Sequence, residues 1–283
     1  MSRAQKPAVV PAAVSGKPPT WLRRTILIVI CGLFLVPLFA MFAFTLRQQG
    51  GGYSFAHWSA LVDPENARMY RNLVKGIGNS LLLAVITIII VWVLFLPTIV
   101  LVHLQFPRLA RAFELLTILP IAIPAIVLVV GLAPLYRIIV RVIGGDIWTL
   151  ALAYGILVLP FVYRAIASEL QGMDAKTLVE AARSLGANWA TVLWRVIVPG
   201  VRRGLTSATL ITAAVVLGEF TVSSLLNRVT LQVALVEVSK SDPYAAVITS
   251  LLSLVIVFVL LFVFASIRPR GQRGSASLRA NRK

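Results

Sequence analysis

Cysteine is all but missing from this 283-residue sequence: Cys31 stands alone. That excludes an intrachain disulfide and a cysteine-based metal cluster, and its place within an apolar run suits a small buried hydrophobe. Histidine is almost as scarce. His57 lies in a loop and His103 at the end of an apolar run, too isolated to form a ligand pair, and both read as ordinary polar interface residues. Charged residues make up only 13%, and acids are the rarer kind, 10 Asp and Glu against 27 Lys and Arg. No pair of carboxylates falls within an apolar run to do acid–base work. No G-x-x-x-x-G-K-[ST] loop occurs, and Gly16-Lys17 runs straight into Pro18, so the chain lacks an ordinary phosphate-binding loop. No cofactor or metal is expected.

What the sequence does contain is apolar surface. At 59% hydrophobic it is too apolar for a soluble globular domain. Runs of the roughly 20 residues a spanning helix needs recur along it, so a membrane-spanning, lipid-contacting all-α chain is expected. The formal charge of +17 invites a nucleic-acid reading. The basic residues, however, sit in loops and tails between apolar runs, with no aromatic-interleaved patch, and no nucleic-acid partner is expected.

Residues 1–24 carry Pro7, Pro11, Pro18 and Pro19 among small and basic residues, which predicts a disordered basic tail. Trp21, Arg23 and Arg24 anchor a first span at 25–46, too long for the apolar region of a cleaved signal peptide. Residues 47–77 form a polar loop with a turn at Gly50-Gly51-Gly52. Residues 78–267 hold five further spans, near 78–102, 113–136, 147–166, 205–226 and 244–267. Pro120 and Pro124 lie four apart on one face of the third span and predict helix kinks there. Residues 268–283 form a second basic tail. Six spans put both termini on one side. Most of the 27 Lys and Arg fall on that side together with the polar segment 174–203, so the positive-inside rule places all three in the cytoplasm and the 47–77 loop outside it.

The segment 174–203 organises the rest. Asp174 is placed to cap a short helix with Leu178, Ala181, Ala182 and Leu185 on one face, and Gly186 to end it in the left-handed conformation that glycine adopts cheaply. Asn188 is placed to cap a second helix with Trp189, Val192, Leu193, Val196 and Ile197 on one face, which Pro199 is expected to stop. The simplest reading of such a hairpin is an amphipathic element resting on lipid.

The spacing says more. Glu180-Ala181-Ala182, Gly186 six residues after the Glu, then Val196, Val198 and Pro199 resemble the EAA loop of ABC-importer permeases. That pattern reads EAA, three residues, Gly, nine residues, Ile, any residue, Leu, Pro, and both aliphatic positions are Val here. The resemblance extends from about Asn72 to Arg268. It implies a type I ABC-importer permease fold with a cytoplasmic coupling helix in a bacterial inner membrane. It also implies an ATPase subunit dimer, a second permease subunit and an extracytoplasmic solute-binding protein as partners. By the same resemblance Glu180, Ala181, Ala182, Leu185 and Gly186 form the surface that docks into the ATPase. Two small side chains allow close approach, and Gly186 sets the angle between the helices. Leu185, Trp189 and Val192 are expected to pack beneath the spans.

One acid remains. Glu219 falls within the fifth span, where an ionisable group is costly and faces protein or a water-filled path. On an unbroken helix Thr212, Ser223 and Asn227 lie near its face, and the four suggest either a substrate pathway or a polar packing contact. The stretch Gly218-Glu219-Phe220-Thr221 with Ser223-Ser224-Leu225-Leu226 resembles permeases grouped with polyamine importers, and importers of phosphonate, iron or thiamine are related alternatives. A carrier driven by an ion gradient would account for Glu219 and the prolines but not for the EAA spacing. A membrane scaffold or membrane enzyme accounts for less still.

Overall fold

The computed structural model describes residues 19–48 and 50–266; the tails at 1–18 and 267–283 lie outside the described residues. Among the described residues every regular element is helical, and the sole strand-like pairing is an isolated bridge between Arg47 and Tyr53. Inside a bilayer this is the expected solution, because a helix satisfies its own backbone groups where no water can. In chain order the helices are α1 (Thr20–Leu46), α2 (Ala56–Val62), α3 (Arg71–Ile90), α4 (Leu96–Gln105), α5 (Pro107–Ala122), α6 (Ala125–Ile143), α7 (Leu150–Gln171), α8 (Ala175–Ser184), α9 (Trp189–Thr191), α10 (Val198–Gly218), α11 (Thr221–Leu225), α12 (Leu231–Ser241) and α13 (Pro243–Ser266). Among the described residues four stretches are long and apolar enough to cross a membrane: Thr20–Leu46, Arg71–Gln105, Ala125–Ile143 and Ile147–Gln171.

The centre of the bundle is α7, flanked by α3 and α10. Tyr154, Val158, Val162, Ile166 and Leu170 of α7 are buried, against Leu83 and Ala84 of α3 and Leu205 and Ala208 of α10. Because lipid is as apolar as leucine, close approach rather than water exclusion drives such packing. Two glycines allow it. A β-carbon on Gly204 would overlap the carbonyl oxygen of Ala165 in α7, and one on Gly76 would sit 2.8 Å from the carbonyl oxygen of Thr230. The apolar side chains left exposed, such as Ile28 and Leu33 on α1 or Val130 on α6, face outward as lipid-facing residues must.

Prolines shape the spans in two ways. Between α3 and α4 the helix widens into a π turn, Val91–Phe95, just before Pro97, and it widens again at Val192–Ile197 just before Pro199. In both places the carbonyl four residues before the proline, of Val93 or Arg195, lies inside the widened turn. That displaces the carbonyl the ring would strike, so the helix continues. Pro199 therefore does not stop its helix as the sequence suggests, and Trp189 to Gly218 form one continuous rod.

Pro124 behaves differently. It has no π turn before it, and Ile123 is pushed to φ −94°, ψ 130°, so the third span is broken into α5 and α6 rather than kinked. Pro120 lies inside α5.

The fifth span also departs from expectation. Instead of one helix over 205–226, α10 ends at Gly218 and Glu219 adopts an extended backbone, φ −80°, ψ 129°. The short α11 follows, then a turn in which Asn227 has φ 53°, then the unanticipated α12. α12 returns along the start of α3: Asn79 Nδ2 donates to the Val229 carbonyl at 2.7 Å, the Leu231 amide donates to Ser80 Oγ at 2.9 Å, and Tyr70 donates to Asp242 Oδ2 at 2.7 Å. Burial and the neighbouring Asp242 carboxylate push the Tyr70 hydroxyl up to about 12, so it stays protonated and able to donate. On the same side Tyr244 is stacked between Phe44 of α1 and His57, at 4.9 and 3.8 Å between ring centres, which ties α1 and the 47–62 hairpin to α13.

Candidate functional site

The 174–203 segment is built as a capped corner. Asp174 Oδ1 accepts from the Thr177 amide at 3.4 Å and starts α8. Gly186 has φ +85°, its amide donates to the Arg183 carbonyl at 2.9 Å, and the Ala187 amide reaches back to the Ala182 carbonyl at 3.1 Å. These are the two bonds of a Schellman ending. Asn188 Oδ1 then accepts from the Thr191 amide at 2.8 Å and starts the rod. Nothing lies within 4 Å of where a β-carbon on Gly186 would point, so backbone conformation alone, not crowding, favours glycine there.

The hairpin meets the bundle along one face of α8. Ala175 and Val179 are buried and Ala182 packs against the same core, with Val192 and Ile197 from the rod. Leu178 and Ala181 are exposed, and Leu185 is 89% exposed, so Leu185 does not pack beneath the spans. The reason is geometric: residues 175, 179 and 182 share one helical face, and that face meets Val192 and Leu170. The outer face presents Leu178, Ala181 and Leu185 beside Glu180, whose sole ion pair among the described residues is a loose 3.9 Å contact with Lys176 on the same helix. Trp189 is half-exposed and lies 5.2 Å under the Arg183 guanidinium. An exposed apolar stripe with a carboxylate at its rim and a fixed corner behind it is a surface suited to a protein partner.

The second cluster lies at the other end of the rod. Glu219 Oε1 accepts from the Val222 amide at 2.8 Å, and Oε2 accepts from Tyr154 Oη at 3.0 Å and the Ser223 amide at 3.4 Å. Its carboxylate thus caps α11 and ties it to α7. Ser223 is buried and its hydroxyl accepts from Thr230 Oγ1 at 2.9 Å. Thr212 is buried in α10 with its hydroxyl unpartnered, while Asn227 is exposed on the turn. The structure therefore brings Glu219 and Ser223 together and leaves Thr212 and Asn227 apart, because the helix they were to share ends at Gly218. Tyr154, Thr230 and Arg228 were not anticipated. Arg228 Nε donates to Tyr136 Oη at 3.2 Å, and its guanidinium lies 5.7 Å from that ring. Gly218 beside Glu219, and Asn227 before a basic residue, were the available signals of a break.

Comparison with known proteins fits this architecture. The family model for the inner membrane component of binding-protein-dependent transport systems matches residues 104–270, which include both clusters. The chain is 34% identical over 110 residues to the spermidine/putrescine transport system permease protein PotC of Haemophilus influenzae, covering 39% of this chain and 42% of that protein. It is 40% identical over 78 residues to the chloroplastic sulfate permease 2 of Chlamydomonas reinhardtii, covering 28% of this chain and 21% of that protein. The chain thus spans less than half the length of each of these relatives. With the family model covering more than half of its residues, this chain belongs to the inner membrane components of binding-protein-dependent transport systems.

Proposed function

We propose that the chain is the permease subunit of an ATP-driven importer and forms half of a transmembrane pathway. In this reading the six spans are α1, the 71–105 helix, the broken α5–α6 pair, α7, the rod and α13, with both termini in the cytoplasm of a bacterial cell. The observation that carries the reading is the outer face of α8, where Glu180, Ala181 and Leu185 are exposed on a corner fixed by Gly186. An ATPase subunit receives that face in a surface cleft. A second permease chain completes the pathway, and a solute-binding protein delivers from the opposite side. Nucleotide binding shifts the pair between access states only if it binds one state more tightly, and the hairpin is where that difference in affinity is expressed.

Likeness to a spermidine/putrescine permease supports a polyamine as the solute. The test is uptake of labelled spermidine into proteoliposomes holding the assembled complex, its binding protein and internal ATP. ATP-dependent accumulation supports the reading. Accumulation driven by an ion gradient without ATP contradicts the importer, and ATP-driven uptake of sulfate but not spermidine contradicts the polyamine.

A further inference from the structure

A single helix joins the two clusters. From its cap at Asn188 it runs through α9, the π turn and α10 to Gly218, on the order of 45 Å at 1.5 Å per residue. Its first turn forms the second arm of the hairpin. At its far end a side chain on Gly218 would meet nothing within 4 Å, and the next residue is Glu219.

The segment beyond Glu219 has anchors of its own away from the rod. Thr230 bonds Ser223, Asn79 bonds the Val229 carbonyl, the Leu231 amide bonds Ser80, and Arg228 bonds Tyr136. These contacts fix residues 223–231 to α3 and α6. The end of the rod is tied to its surroundings by a separate set of polar contacts: Gln232 Nε2 donates to the Leu217 carbonyl at 3.0 Å, and the Glu219 carboxylate takes donors from α11 and from Tyr154 of α7. A phenol donating to a carboxylate is a charge-assisted hydrogen bond, stronger than one between neutral groups. Three donors from its own chain, the Ser223 amide at a marginal 3.4 Å, already engage the two oxygens of Glu219.

We propose that Glu219 and Tyr154 form a positioning latch for transport. It holds the far end of the rod in the state seen here, is released when the hairpin is displaced at the near end, and does not contact the solute. This rests on the importer reading above, since the displacement comes from the docked ATPase. The latch supplies the two-arrangement element that coupling over this distance requires. Release frees the Val222 and Ser223 amides and opens the break after Gly218.

The test uses two readouts on the full chain in a Cys31→Ser background. Val222 is 1% exposed beneath the latch, so Val222→Cys reports opening through its rate of reaction with a small water-soluble methanethiosulfonate. Tyr154→Phe deletes only the latch hydroxyl. The expected result is labelling faster by about tenfold, with Vmax of uptake lowered by about tenfold and KM unchanged to within about twofold. Glu219→Gln keeps an oxygen for the Val222 amide, so it retains the fold and adds little to Tyr154→Phe in the double variant. Raised KM with Vmax preserved makes Glu219 a solute contact and overturns the latch, as does a labelling rate unchanged in both variants. If the wild-type complex shows no ATP-driven uptake, the importer reading fails by itself, and the labelling rates still decide whether the bond holds the break closed.

Discussion

The amide of Ala187 donates to the carbonyl of Ala182 at 3.1 Å, around a glycine at φ +85°. With the Gly186 amide's bond to the Arg183 carbonyl it closes the corner after α8, on which Glu180, Ala181 and Leu185 are exposed. Gly186→Ala introduces a left-handed penalty of about 1 kcal/mol without any clash, because the space beside it is open. The expected outcome is normal insertion with a several-fold weaker hold on the ATPase in a pull-down titration. Gly186→Ala with undiminished affinity means that the corner does not set the docking geometry.

The two caps of the hairpin differ in quality. Asn188 bonds the Thr191 amide at 2.8 Å, whereas Asp174 bonds the Thr177 amide at a marginal 3.4 Å. Loss of a good cap costs about 1 kcal/mol. Asn188→Ala should speed amide hydrogen exchange at 189–192 by about fivefold, and Asp174→Ala should change exchange at 175–178 less. The reverse order contradicts the geometry.

Gly204 and Gly200 lie one turn apart on the rod and should respond differently to alanine. At Gly204 the new carbon overlaps the Ala165 backbone, which cannot yield without moving α7 from α10. At Gly200 it meets the end of the Met173 side chain at 2.7 Å, which can swing aside. Detergent-solubilised Gly204→Ala is expected to lose several degrees of melting temperature and Gly200→Ala very little, as read by a thermal-shift assay.

Sidedness is open to direct test in a Cys31→Ser background. Gly51→Cys should react with a membrane-impermeant maleimide added to intact cells, and Leu185→Cys only after the membrane is opened. Labelling of Leu185→Cys from outside, with Gly51→Cys protected until the membrane is opened, means the reverse orientation and contradicts ATPase docking from the cytoplasm.

Features set by a few neighbouring residues were legible in the sequence. Asp174, Gly186 and Asn188 act within their own turns, so residue type and spacing were enough. Tertiary contacts decided the rest. Pro199 is the plainest case: a proline in a helical run reads as a stop, but burial of Val192 and Ile197 holds a π turn that carries the helix through it. The expectation that Leu185 packs beneath the spans failed because Leu185 is as apolar as Ala175 and Val179, and only the position of α7 selects between the faces. The break at Glu219 was hidden by the helical spacing of Thr212, Ser223 and Asn227, and its partner Tyr154 lies in another span altogether. The helix that follows, α12, was read as part of a loop because its apolar residues match α3 rather than a period long enough to cross a membrane.

The central claim is that the exposed face of α8 receives an ATPase. The most direct measurement is purification of this chain from its own membranes in mild detergent, with identification of the co-purifying proteins, for the wild type and for a Glu180→Lys, Gly186→Trp double variant. The account predicts a phosphate-loop ATPase and a second permease with the wild type, and loss of the ATPase but not the permease with the variant. Recovery of the ATPase in equal amount with both would contradict docking through this face, and recovery of the chain alone, with uptake indifferent to ATP depletion, would contradict the importer.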